Sequence, residues 1–200
     1  MKNKSIGIIL LAAGASNRLG RPKQLLEFEG KSLLEKAIKW AKLSLATHFV
    51  VVLGANADEI RKKIDQNGCS IIVNVDWPSG MGSSMKKGLK HLTDLHQVDG
   101  VLLMLCDQPY ANADVLNALI QTYWESEKGI IASRYQNTLG VPALFDKKYF
   151  GEMLNLKSSE GAKKIILSHS DDTEAIDFPL GAIDIDTEED YEKLKNQPLN

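Results

Sequence analysis

Three cations lie within six residues, Arg18, Arg21 and Lys23 closing a segment that opens with the small residues Ala12, Ala13, Gly14, Ala15 and Ser16. This combination suits a polyphosphate, because small residues let amide groups approach a ligand closely while Arg18 and Lys23 reach its phosphates from two sides. Neither of the commonest phosphate loops is present. Gly20 is followed by Arg-Pro-Lys, so no Lys-Ser or Lys-Thr pair closes a P-loop, and Ala, Ser and Leu stand where a dinucleotide fingerprint needs glycine. Gly80-Met81-Gly82 supplies only the first half of such a fingerprint. The same letters also fit a plainer reading, in which the glycines turn the chain and the cations are solvated.

Carboxylates form the second set. Asp107 follows the apolar run 101–105, and an acid at the carboxyl end of a central strand faces the crevice where α/β sheets bind ligands. Burying it is costly without a metal or cation as partner. It reads alternatively as a turn or helix N-cap residue ahead of Pro109. Asp184 and Asp186 flank Ile185, and only one of them is expected to face a shared site, while Thr187-Glu188-Glu189-Asp190 also suits an acidic helix N-terminus. One carboxylate from each of two strand ends, completed by phosphate oxygens and water, is the sparse protein contribution that magnesium accepts.

The elements that must position these groups follow from hydrophobic period. Apolar runs at 6–11, 49–53, 69–73, 101–105 and 129–133 predict buried strands. Ser32 with Glu35 makes a capping box for a helix through 45, and further helices are predicted over 58–64, from 82 or 83 to 92, and from 112 or 113 to 123 or 124. Gly140-Val141-Pro142 interrupts the stretch that follows. Short helices are expected over 147–154 and 161–168, then an edge strand at 183–186 and a last helix capped by Thr187. Alternation at this spacing predicts an α/β protein: a three-layer α/β/α sandwich on a mostly parallel sheet, with residues 1–200 as one domain.

Composition excludes several function classes. With 200 residues, 44% apolar, 25% charged and a net charge of −2, the chain has no electrostatic footprint for nucleic acid. No apolar run approaches a membrane span, and the run 6–11 is too short for an export leader, so neither nucleic acid nor membrane is an expected partner and the cytoplasm is the expected compartment. Cys69 and Cys106 form neither a disulfide framework nor a zinc motif, and His48, His91, His96 and His169 form no ligand pattern and are assigned surface or structural roles.

Taken together, Leu11-Ala12-Ala13-Gly14-x-Ser16-x-Arg18-x-Gly20-x-Pro22-Lys23 resembles the signature loop of nucleotidyltransferases with the GT-A-like (nucleotide-diphospho-sugar transferase-like) fold, in the branch containing molybdenum cofactor cytidylyltransferase. Asn74, Trp77, Gly80, Ser84 and Gly88 resemble its nucleoside-side loop. Asp107-Gln108-Pro109 resembles its metal motif, Gly140-Val141-Pro142 its acceptor-side turn, and Asp184-Ile185-Asp186-Thr187 its terminal motif. The resemblance implies magnesium-dependent attack by an acceptor phosphate on the α-phosphorus of a nucleoside triphosphate, with release of pyrophosphate. It implies that Arg18 holds the outgoing phosphates, Lys23 neutralises the α-phosphate, and Asp107 and Asp186 hold Mg2+. Ala12, Ala13, Gly14 and Ser16, with Gly80 and Ser84, would receive the nucleotide. Such chemistry needs no strong general base, since a phosphate nucleophile is already ionised near neutral pH.

Ala12-Ala13-Gly14 with a single Arg18 is closer to the cytidylyl branch than to guanylyl-transferring relatives, which usually read AGG with paired arginines. CTP and a molybdopterin-type acceptor are therefore the expected substrates, with a molybdoenzyme or insertion chaperone as a transient partner. Guanylyl transfer to the same cofactor, cytidylyl transfer to a sugar or polyol phosphate, and a non-catalytic cofactor carrier are the alternatives. Three positions depart from the branch: Val141 replaces a usual histidine, Ser158-Ser159 a frequent Gly-Asp, and Glu188 a common proline. The first two fall in the acceptor half.

Overall fold

Every residue of the first strand, β1 (Ile6–Ala12), is buried, and a strand apolar on both faces needs a covering layer on each. The computed structural model describes residues 4–65 and 68–196. After β1 the chain runs through β2 (Glu27–Phe28), β3 (Lys31–Ser32), α1 (Leu33–Leu43), β4 (His48–Leu53), α2 (Ala57–Lys63), β5 (Ser70–Val73) and α3 (Met81–Leu95). It continues through β6 (Gly100–Leu105), α4 (Ala113–Glu125), β7 (Ile130–Tyr135), β8 (Thr138–Asp146), α5 (Phe150–Asn155), α6 (Lys163–Ser168), β9 (Thr173–Asp177) and α7 (Glu188–Asn196).

Seven strands form one sheet in the order β5-β4-β1-β6-β8-β7-β9, and β8 alone runs against its neighbours. The period of two along β1 decides the layers. Ile6, Ile8, Leu10 and Ala12 face α1, α2 and α4, while Ile9 and Leu11 face α3, α5 and α6. The expected α/β/α sandwich on a mostly parallel sheet is what forms. Ser32 caps α1 in the expected reciprocal box with Glu35. A third, smaller cluster joins α7 to the β2-β3 hairpin through Leu19, Phe28, Ile185, Tyr191 and Leu194.

Three stretches differ from the sequence expectation. Residues 183–186 form no strand. Ile185 N donates to the Asp107 carbonyl at 3.0 Å, and the fully buried Ile185 side chain anchors the segment in the third cluster, so packing replaces a ladder. Residues 138–146 form one long strand. The β7-β8 register shifts between Ala132 and Ser133, pairing Ala132 with Ala143 and Ser133 with Gly140, so Val141 and Pro142 bulge out of the ladder. A bulge is where a residue lacking N–H fits within a sheet. The tight connection is made by Gln136 and Asn137, both at positive φ, without the usual turn glycine. Finally, β9 reads Thr-Glu-Ala-Ile-Asp, too polar to announce a strand, because it lies at a sheet edge.

α3 lies nearly flush on the sheet at Gly88, where a Cβ would stand 2.5 Å from Ile9 Cγ2 and 3.0 Å from Val52 Cγ2. Those methyls are branched on strand residues and have little room to retreat. Gly88→Ala is expected to destabilise the fold by about 1–3 kcal/mol through overpacking, read as a lower urea midpoint at unchanged m-value. A neutral or stabilising effect would show that α3 is free to lift.

Candidate active site

The loop after β1 is shaped by turns that return the chain to the strand end. Ser16 has φ of 56°, its carbonyl accepts from Leu19 N and Gly20 N at 3.0 and 3.2 Å, and its Oγ accepts from Lys23 N at 3.0 Å. Lys23 is thereby delivered beside the ends of β1 and β6. Gln24, fully buried, donates through Nε2 to the carbonyls of Ala12 and Gly14 at 2.9 and 3.0 Å, and the Ala13 carbonyl accepts from Ala55 N at 3.1 Å. With these carbonyls turned inward, N–H groups are what the loop can offer an anion. Gln24 escaped the sequence reading: a glutamine next to Leu25-Leu26 carries no signal that its amide will brace a loop ten residues away.

Lys23 Nζ donates to Asp107 Oδ2 at 2.5 Å and to Asp186 Oδ1 at 2.8 Å, and Arg18 Nη2 reaches Asp186 Oδ2 at 2.6 Å. The Lys23 and Asp107 side chains are only 12% and 15% exposed. Burial by itself would lower the Lys23 pKa, but the Asp107 charge and the hydrogen bonds to Asp107 and Asp186 raise it well above the ordinary lysine value. Both carboxylates lie within reach of one nitrogen, so one small cation can bridge them. Asp107 Oδ1 is buried with no hydrogen-bond partner, an acceptor whose desolvation nothing within the protein offsets. A hard divalent ion fits that donor set. Among the described residues no three acidic, histidine or cysteine side chains gather as a metal cage, so phosphate oxygens and water would complete the shell.

Asp107 is not the α4 cap. Asn112 Oδ1 does that work, accepting from Val115 N at 3.1 Å. The neighbouring Cys106 thiol is pushed up to about 12, chiefly by burial and then by the Asp107 charge, which leaves it inert as a nucleophile. His48 stacks on His96, while His91 and His169 bond Ser70 and Glu152; none of the four lines the cavity described next.

Ala12, Ala13, Gly14, Ser16, Arg18, Lys23, Gly80, Ser84, Asp107 and Asp186 all line one cavity of about 430 Å³, so the nucleotide and metal residues expected through the resemblance are brought together. The opposite wall is stitched by Asn74, whose Nδ2 donates to Ser83 Oγ and Ser84 Oγ at 2.8 and 3.0 Å. Gly80 has φ of 121°, and a Cβ there would stand 2.5 Å from the Ser158 carbonyl. It therefore also seats the 74–80 loop against the 158–159 segment. Asp184 does not line the cavity. Arg21 turns away from it to Glu188 Oε1 at 2.6 Å and lies over the Tyr191 ring, which makes it a latch on α7.

A smaller apolar slot of about 150 Å³ adjoins the cavity, sharing Leu11, Met81 and Leu105 and extending past Met85 to Val141 in the β8 bulge. Tyr135 and Lys163 are its polar residues. Gln108, which the sequence offers only as the middle of the Asp107-Gln108-Pro109 motif with no role of its own, donates to the Val141 and Gly181 carbonyls at 3.0 and 2.9 Å. It ties the bulge to the segment that leads into Asp186.

Residues 8–173 match the family model described as MobA-like NTP transferase domain. Nicotine blue oxidoreductase of Paenarthrobacter nicotinovorans is 36% identical over 135 residues, 67% of this chain and 63% of that protein. Molybdenum cofactor cytidylyltransferase of Escherichia coli is 24% identical over 195 residues, 96% of this chain and 97% of that protein. Rv0371c of Mycobacterium tuberculosis superposes with a TM-score of 0.85 at 30% identity, covering 98% of this chain and all of that one, and its manganese complex superposes with 0.80 at 26% identity over the same shares. The architecture is the GT-A-like one of the structural neighbours.

The hydrogen bond from Lys23 holds the Asp186 carboxyl below the ordinary carboxylate range against the effect of burial, with the charges of Lys23 and Arg18 adding to it. A carboxyl depressed in the folded state adds stability that is complete above its unfolded value, about pH 4, and lost as pH falls through the depressed one. Urea-measured stability of Asp186→Asn should therefore decline less with acidification below about pH 4 than that of the unaltered chain. Identical acid slopes would mean that the ion pairs do not persist in solution.

Proposed function

We propose that this chain, which belongs to the MobA-like NTP transferase domain family, transfers CMP from CTP to the phosphate of a molybdopterin-type cofactor. Its reaction class is nucleotidyl transfer. In the proposed reaction an acceptor phosphate oxygen forms a bond to the α-phosphorus, the bond from that phosphorus to the β-bridging oxygen breaks, and pyrophosphate leaves with the electron pair. The observation that carries the reading is the convergence of Lys23, Arg18, Asp107 and Asp186 on one cavity wall beneath the N–H-presenting loop.

Each chain residue then has a physical task. Amide groups of residues 12–16 and the Ser84 hydroxyl receive the nucleotide from two walls. Lys23 places positive charge where the α-phosphate crowds with negative oxygens, and Arg18 at the open side holds the departing phosphates. Asp107 and Asp186 would hold magnesium, which when bound neutralises phosphate charge and aligns the oxygens of the displacement. Positioning and charge stabilisation suffice for this step, consistent with an inert Cys106 and histidines outside the cavity.

The acceptor half of the proposal is supported by the apolar slot that adjoins the cavity. A polyol or sugar phosphate would bring several hydroxyls into a space with two polar side chains, whereas a fused ring system fills it and meets the Lys163 amine and the accepting side of the Tyr135 hydroxyl, which itself donates to the Val141 carbonyl. The cytosine preference is supported by Ala12-Ala13-Gly14 and by the cytidylyltransferase relative that spans almost the whole chain.

Pyrophosphate release is expected from CTP, Mg2+ and molybdopterin, with much slower release when GTP, or a sugar or polyol phosphate, is substituted. Asp107→Asn should lower kcat by about a hundredfold or more in a protein whose melting curve stays cooperative. Turnover of a sugar phosphate in preference to the pterin would overturn the acceptor assignment, and full activity of the folded Asp107→Asn variant would overturn the metal assignment.

A further inference from the structure

We propose that Lys23 is a resident counter-ion of the metal site: its ammonium bridges Asp107 and Asp186 before a divalent ion arrives, and the arriving ion displaces it toward the α-phosphate. The inference rests on the reading of these two aspartates as metal ligands, and adds an exchange step that the reading does not contain. Its basis is the double contact. Lys23 Nζ, at 2.5 Å from Asp107 Oδ2 and 2.8 Å from Asp186 Oδ1, holds the position between two carboxylates that a bridging cation requires.

Two carboxylates this close repel, and Asp107, with one oxygen already unpartnered, is too buried for water to relieve it. Lys23 offsets that repulsion; without it the repulsion would be left for an arriving divalent ion to relieve, with no ammonium to displace. The same contacts must break before an ion can reach both oxygens, since an ammonium and a metal cannot share the space. Released, the side chain is anchored by its backbone N–H on Ser16 Oγ, so its head can move while its base stays fixed. One lysine thus serves two anions in turn, and the charge it gives to the phosphate becomes available only when the metal has taken over the carboxylates. Among the described residues Arg18 pairs with Asp186 alone, and its 68% exposed side chain leaves that contact to compete with water.

The consequence is that Lys23 antagonises metal binding in the absence of nucleotide. Manganese titration of the nucleotide-free protein, followed by the paramagnetic signal of the free ion, is expected to give a lower Kd in Lys23→Met than in the unaltered chain, by about tenfold, the scale on which neighbours of a ligand set change metal affinity. The manganese-induced rise in Tm should be larger in that variant for the same reason. Equal or weaker binding by a folded Lys23→Met would overturn the exchange.

Should Lys23→Met not fold, the unaltered chain supplies the measurement. Acylation of Lys23 by an N-hydroxysuccinimide ester, located by mass spectrometry, should accelerate on adding Mn2+, because the amine leaves its two carboxylates. Slowing or no change would overturn the proposal. Asp186→Asn separates this from the underlying assignment. If that substitution leaves manganese affinity intact, the metal reading itself fails. If it weakens affinity while Lys23→Met does not strengthen it, only the exchange fails.

Discussion

Two carboxylates that repel each other are held within reach of a single ammonium, and much of the architecture around the cavity answers to that demand. Asp107 comes from the end of a central strand and Asp186 from a segment near the opposite end of the sequence, so neither local structure nor a shared ladder sets their separation. The ammonium between them is an interaction that helix and sheet formation would not produce on their own. Its strength depends on low exposure, which in turn requires a rigid floor under Asp107 and a rigid hold on Asp186.

The floor is the buried β1-β6 pair, apolar on both faces and covered on both. The hold on Asp186 is built from several modest contacts. Ile185 is sunk in the small cluster with Tyr191 and Leu194, its N–H bonds the Asp107 carbonyl, and Arg21 clasps Glu188 on the first turn of α7. Glu188 therefore has an assignable task where relatives of the cytidylyl branch commonly have proline. Gln108 braces the same segment from the other side through Gly181. Asp186 is thus fixed by packing on one flank and by hydrogen bonds on the other, although the segment that carries it has no regular structure.

The sequence made the chemistry more legible than the framework. Parallel strands buried on both faces announce themselves as apolar runs, and the site lies at their carboxyl ends by the rules of the architecture, so Asp107, Lys23 and the small-residue loop could be singled out from letters alone. Elements whose stability comes from tertiary partners stayed hidden. β9 is polar because one of its edges meets water, β8 is disguised by Gly140 and by the proline of its bulge, and 183–186 alternates like a strand yet is held by a bond from Ile185 to the Asp107 carbonyl, a buried isoleucine and the ion pairs of Asp186. The bracing roles of Gln24 and Gln108 were hidden for a related reason. Both are side-chain braces to distant carbonyls, and a glutamine's partners are a property of the fold, not of its neighbours in the chain.

The bulge at Val141-Pro142 carries an implication for how this scaffold diversifies. It sits inside a hairpin whose pairing continues on either side in a shifted register, and it touches the small slot without lining the larger cavity. Residues there can be exchanged, or their number changed, while the ladder on both flanks absorbs the difference and the wall that carries Lys23, Asp107 and Asp186 remains as it is. The two halves of the site are in that sense separately heritable: one keeps a reaction, the other is free to drift toward new molecules. A lineage built this way can acquire partners of unlike chemistry without reinventing how it handles phosphorus.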